Sequence, residues 1–140
     1  MPAKKKARPK DVGSGKPRHE KVGVKPGQSV AVVGKVDVGD DLKLLSAKKA
    51  KDVAGADWIY VAIDTLDDLK RIATTRAMMK DDAAIWCVWP KGLKGPGVVT
   101  ENDVRNTALA GDLVDVKVMS WSATHSGLKL VVRKALRAKK

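Results

Sequence analysis

The sequence contains no phenylalanine, one tyrosine and one cysteine among 140 residues, and each scarcity closes off a class of protein. The single thiol, Cys87, makes no internal disulfide, and with two histidines the chain lacks the ligand set of a structural zinc site. Cys87 also stands between Trp86 and Val88 in an apolar run, the setting of a buried, inert thiol rather than a nucleophile. Aromatic residues make up 4% of the chain, so its core has to be built mainly from Val, Leu, Ile and Ala. The longest apolar run, Ala83 to Trp89, falls far short of the roughly 20 residues a membrane helix needs. The basic beginning of the sequence is not followed by the apolar segment of a signal peptide. A cytoplasmic location is the resulting expectation. No Ser, His and Asp stand at a spacing that signals a nucleophilic triad, and His125, between Thr124 and Ser126 in a turn, reads as an incidental loop histidine.

What the chain has in excess is positive charge, +12 in all, unevenly placed. Residues 1–21 hold eight Lys/Arg against two acids, and residues 133–140 hold five against none, which leaves a net charge of +1 for the 111 residues between. In the first segment Lys4, Lys5, Lys6, Arg8, Lys10, Lys16 and Arg18 are interspersed with proline and glycine and have almost nothing apolar to bury. Ordering such a stretch costs entropy that no packing returns. The expected organisation is a disordered basic arm over 1–21, one α/β domain over 22–133 and a basic tail over 134–140.

Within the domain, Ser29 to Val33 is short, apolar and β-branched, and ends at Gly34, as a strand buried on both faces does. A short helix is predicted over Asp40 to Leu45, followed by Lys48, Lys49 and Lys51 on a solvated surface. Trp58 to Ile63 reads as a second buried strand. Thr65 then opens a helix whose Leu66, Leu69, Ile72, Ala73 and Met79 share one face. Ala83 to Trp89 is a third buried strand stopped by Pro90. Thr100 and Asp103 start a helix ending at Gly111. Leu113 to Trp121 alternates, which puts Leu113, Met119 and Trp121 on one face, a candidate contact for a protein partner. Leu128 to Val132 returns antiparallel to it after a turn over Ser122 to Gly127.

Three segments carry a resemblance: Val22 to Gly34 at the first strand, Ala84 to Lys91 at the third, and Leu113 to Val118 leading to Trp121 and Ser126-Gly127-Leu128-Lys129. In these the chain resembles a family of short, uncharacterised bacterial proteins that look like reduced versions of the class I methyltransferase fold. The resemblance implies a three-layer, Rossmann-like, mostly parallel sheet ending in an antiparallel hairpin. Enzymes of that class bind S-adenosylmethionine through a glycine-rich turn after the first strand and an acid at the end of the second that grips the ribose hydroxyls. Here the turn is Gly34-Lys35-Val36-Asp37-Val38-Gly39, with β-branched residues between the two glycines. No clear second strand ends in an acid, Asp52 being the nearest. The expectation is therefore that no cofactor binds well. If S-adenosylmethionine does bind, the residues for it are Gly34, Gly39 and Asp64, the last just beyond a strand where ligands of such sheets lie. Trp89 and Lys91 are the candidates for an anion-binding rim on the same side.

The leading functional reading is a non-catalytic protein whose cationic ends hold nucleic acid or another polyanion, through the arm residues named above together with Arg133, Lys134, Arg137, Lys139 and Lys140. The alternatives are a minimal S-adenosylmethionine-dependent methyltransferase and a protein-interaction module. If five or six of the thirteen Lys/Arg in the ends contact phosphate, the log-log salt slope on duplex DNA is expected at about −4 to −5. Gel-shift titration at two salt concentrations measures it. Deleting both ends is expected to remove nearly all binding if the ends alone provide it.

Overall fold

Strand β3, Trp58–Ala62, is buried along its whole length, and a six-stranded sheet is assembled around it. The computed structural model describes residues 16–136. In chain order these form α1 (Arg18–Lys21), β1 (Ser29–Val33), α2 (Asp41–Leu44), β2 (Lys48–Lys49), β3, a 3-10 turn (Leu66–Leu69) leading into α3 (Lys70–Met78), β4 (Ala84–Pro90), α4 (Glu101–Ala110), β5 (Leu113–Ser120) and β6 (His125–Val132). The sheet order is β2-β1-β3-β4-β6-β5, with β2, β1, β3 and β4 parallel and β6 antiparallel to both of its neighbours. This is the expected Rossmann-like α/β fold with a closing hairpin.

Because central parallel strands are covered on both sides, their side chains alternate between two apolar clusters. Ile59, Val61, Ile85, Cys87 and Trp89 point to the face covered by α3 and α4, where Ile72, Val104 and Ala108 meet them. Trp58, Tyr60, Trp86 and Val88 point to the other face, where Val22, Val24, Met119 and Trp121 join them with Val36, Val38 and Leu42 at the margin. Among the described residues the second layer has only the four-residue helices α1 and α2, so indole rings supply much of its bulk. Each ring is also tied by its N–H: Trp86 donates to Val22 O at 3.0 Å, Trp121 to Asp37 O at 3.0 Å, and Trp58 to Gln28 Oε1 at 2.9 Å. Tyr60 meets Trp121 edge-on at 5.0 Å between centroids, and its buried hydroxyl, held protonated by desolvation, finds no partner among the described residues.

Several expectations change here. Lys48–Lys49 is a strand, held on the edge of β1 by Lys48 N–H to Gln28 O and Ala50 N–H to Val30 O, so the strand from Trp58 is the third of the sheet. The helix after Thr65 begins as a 3-10 turn, which rotates Leu66 and Ala73 outward and turns Thr75 inward beside Ile72 and Met79. Thr65 and Asp68 form a capping box, as do Thr100 and Asp103 at α4, so these acids serve helix ends. In β5 a bulge between Asp115 and Lys117 inverts the alternation. Leu113 joins the α3/α4 face while Met119 and Trp121 join the aromatic face, and all three are buried. The shared exposed face proposed for a protein partner therefore does not exist. β6 starts at His125 rather than Leu128, and Gly127 lies inside it because a Cβ there would come 3.0 Å from Trp121 and 3.3 Å from Trp86.

At the edge of the sheet opposite the carboxyl ends of the parallel strands, Asp57 joins three elements. Its Oδ2 accepts from Ser29 N–H at 2.9 Å and its Oδ1 from Lys80 Nζ at 2.7 Å. Lys80 first, and then the Ser29 amide, hold this carboxyl below its ordinary value. A group with a lowered folded-state value contributes stability above its unfolded value, and that contribution fades as pH falls through the folded one. Asp57→Asn is therefore expected to cost about 1 kcal/mol at pH 7, an exposed pair being partly screened. The gap to wild type is expected to narrow below about pH 4. Urea denaturation of both proteins across that range checks it.

Candidate functional site

The chain leaves β1 outward to β2 and returns across it to β3, so the connections diverge between β1 and β3. In open parallel sheets the crevice beyond the carboxyl ends of the strands at such a point is where ligands lie. Here that crevice is a cleft of about 1330 Å³, open to solvent. Its walls are the turn from Gly34 to Val38, the segment from Lys49 to Ala54 after β2, Asp64 after β3, Met78, and Trp121, Ser122, Thr124 and His125 from the hairpin tip.

The turn after β1 is fixed from behind. Gly34 has φ +83°, and a Cβ on it would stand 2.5 Å from Arg71 Nη1 and 3.0 Å from Ala62 Cβ. Arg71 occupies that space because Nη1 donates to Ala62 O at 2.8 Å and Nη2 pairs with Asp68 at 3.5 Å. Further along, Asp37 Oδ1 accepts from Gly39 N–H at 3.0 Å while its carbonyl holds the Trp121 indole. Val36 and Val38, expected to crowd the turn, bury part of their surface against the aromatic cluster, and the cleft beside them stays open.

Three aspartates line this space, of which Asp37 already accepts from the Gly39 amide. Asp52 lies three residues beyond β2, exposed, with Oδ1 accepting from Gly55 N–H at 3.0 Å and Oδ2 without a partner among the described residues. Asp64 is exposed, and its carboxylate has no hydrogen bond among the described residues, since Asp68 supplies the cap for its own backbone N–H. His125 lies half-buried at the hairpin tip with Nδ1 2.8 Å from Thr124 Oγ1. Sequence patterns single out Asp52 and His125 but assign neither a role, because the strand before one is a pair of lysines and the other stands in a turn without an acidic or cysteine neighbour. An acid soon after any parallel strand was the available signal for Asp52.

The remaining predicted residues fall elsewhere. Gly39 is outside the cleft and backs onto Arg18, 3.6 Å from where its Cβ would be. Trp89 is 4% exposed, in the core against α3 and α4, so it forms no rim. Lys91 donates to Ser120 Oγ at 2.6 Å and lies away from the cleft. Arg18, placed by sequence on a free arm, is built into the fold. It pairs with Asp41 at 2.5 Å, donates to Trp121 O at 3.1 Å and lies 5.4 Å over the Trp121 ring. Arg133 donates to Leu109 O at 2.5 Å, and Lys16 and Lys134 are exposed. Lys4, Lys5, Lys6, Arg8, Lys10, Arg137, Lys139 and Lys140 lie outside the described residues. Among the described residues no group of three His, Cys, Asp or Glu is placed to hold a metal, and no helix is long and apolar enough to cross a membrane.

The chain matches no family model and no curated protein. The resemblance to a family of short bacterial proteins thus finds no counterpart. Solved structures do match. A SAM-dependent methyltransferase from Aquifex aeolicus aligns with a TM-score of 0.55 at 18% identity, covering 81% of this chain and 89% of that one. The ribosomal protein L11 methylase of Lactobacillus delbrueckii subsp. bulgaricus aligns at 0.51 and 15% identity, over 82% and 74%. The fibrillarin pre-rRNA processing protein of Methanococcus jannaschii aligns at 0.50 and 9%, over 77% and 67%. At these identities the likeness establishes a methyltransferase-like Rossmann fold.

The packing behind Gly34 gives a direct test. Gly34→Ala puts an L side chain in left-handed backbone, a strain of about 1–2 kcal/mol, and displaces Arg71 as well. A loss of stability larger than that strain alone is expected on thermal or urea denaturation. Stability unchanged from wild type would show that the turn is not held as described.

Proposed function

We propose that the cleft binds S-adenosylmethionine and that the protein is a small methyltransferase. The observation that carries this is a pair of carboxylates with unused lone pairs, Asp52 and Asp64, after the second and third strands of a Rossmann-like sheet, bordering one open cleft. The residues fit such a ligand by chemistry. An acid after β2 suits a ribose diol, which offers two O–H donors. Ala31, Val53 and Met78 offer apolar surface to a purine, and Lys35 offers a cation to the carboxylate of the amino-acid part. Asp64 supplies negative charge toward a sulfonium or ammonium.

When bound, the cofactor supplies an electrophilic methyl group. The protein's own part is to hold and orient, and to take a proton from the methyl acceptor. For that proton His125 Nε2 serves as the base in the tautomer whose Nδ1–H donates to Thr124 Oγ1, 2.8 Å away. This reading replaces the expectation that no cofactor binds, which rested on the glycine-poor turn. The turn here is shaped by Arg71 and Trp121 rather than by a run of glycines.

Calorimetric titration with S-adenosylmethionine and S-adenosylhomocysteine is expected to give micromolar dissociation constants. Asp52→Asn and Asp64→Asn are each expected to weaken binding about tenfold, or 1.4 kcal/mol, with melting temperature unchanged. Absence of binding heat at millimolar ligand would overturn the assignment and return the protein to the non-catalytic, polyanion-binding reading.

A further inference from the structure

The near-neutral charge of the domain hides a segregation. Every cation of α3 and α4 is matched by an acid: Lys70 by Asp67, Arg71 by Asp68, Arg76 by Asp81 and Asp112, and Arg105 by Glu101 and Asp115. The β2 edge differs. Lys25, Lys35, Lys43, Lys48, Lys49 and Lys51 are all exposed, and none has an ion pair among the described residues.

The fold places these six along the β2 edge of the sheet and at both of its ends, with Lys48 and Lys49 on opposite faces. Gly27 N–H to Ser46 O and Lys48 N–H to Gln28 O fasten the Lys25 turn to the start of β2. Lys48 and Lys49 form the edge strand itself, and Lys35, Lys49 and Lys51 border the cleft. Of the neighbouring acids, Asp41 is neutralised by Arg18. Asp37 and Asp52 accept backbone amides and keep their charge, so with Asp40 and Asp64 four acids stand against the six lysines and the edge retains a positive excess.

We propose that this lysine strip on the β2 edge binds the phosphodiester backbone of a nucleic acid. Exposed point charges spread along a sheet edge, without rings among them, suit a uniformly charged backbone contacted without regard to sequence. A protein partner would require an apolar centre to its interface, and Leu44 is the one exposed large apolar side chain among the described residues of the strip. The expectation that removing both ends abolishes binding is accordingly revised, because the folded surface contributes its own contacts. The inference stands without the cofactor assignment, being read on the protein with no cofactor added.

The test uses the full chain and a fluorescein-labelled 20-nucleotide poly(U) RNA, followed by anisotropy between 50 and 200 mM NaCl. Replacing Lys43, Lys48, Lys49 and Lys51 with Gln is expected to weaken binding more than tenfold at 100 mM NaCl. It is also expected to flatten the log-log salt slope by about 3, at about 0.7 per single-strand contact. The same four positions as Arg are expected to bind as wild type does. In the unmodified protein, lysine acetylation read by mass spectrometry is expected to show these four protected by the RNA, a readout independent of whether the Gln variant folds. Unprotected lysines with an unchanged slope would overturn the proposal and assign binding to the chain ends. Displacement of the RNA by poly-L-glutamate at equal charge concentration would overturn it in favour of an acidic protein.

Discussion

A parallel sheet buried on both faces needs two covering layers, and this chain has helix enough for one. β3 and β4 send alternate side chains to opposite sides, so leaving the second side bare would expose Trp58, Tyr60, Trp86 and Val88 to water. Burying such aromatic side chains, about 150–250 Å² each, is among the larger driving forces available to a domain of this size. The solution uses indole rings as a layer in their own right, with two short helices and the turn after β1 resting on them. Each indole N–H then requires an acceptor. Val22 O, Asp37 O and Gln28 Oε1 provide them, which attaches the chain before β1 and the turn after it to the sheet.

The site inherits its shape from that solution. Trp121 lies on the wall of the cleft and holds the carbonyl of Asp37, and its own carbonyl and ring face hold Arg18. The segment leading into β1, the turn after β1 and the hairpin tip thus converge on one residue that reaches the sheet only through the antiparallel return of β6. The bulge in β5 is part of the same arrangement. Without it Trp121 and Leu113 would lie on the same side of the sheet, and the aromatic layer would lose the ring that closes it. Gly127 completes the fit by leaving room for Trp121 and Trp86 together.

Charge in the molecule is organised on a different principle. The pairs on α3 and α4 are partly exposed, and each contributes little to stability. They do neutralise the α3/α4 layer locally, whereas the six lysines of the β2 edge have no ion pair among the described residues. A sum over the sequence is blind to this, because residues 22–132 come to +1 whichever way the charges are sorted.

The sequence by itself determined the elements whose signal is local. β1, β3 and β4 follow from short β-branched and apolar runs, α4 from Thr100, Asp103 and Gly111, and the turn into α3 from Thr65 and Asp68, because capping and strand burial depend on neighbours within a few residues. Parallel sheet and terminal hairpin followed from their order. Only the tertiary structure decided what depends on partners distant in the chain. β2 is a strand because β1 offers it a free edge, not because two lysines favour extended backbone. Trp89 is core and Trp121 a cleft wall because a bulge and a sheet face, neither written in composition, set their directions. Asp52, Asp64 and His125 border one cleft because three separate connections end at the same edge of the sheet, a convergence fixed by strand order and invisible in residue spacing.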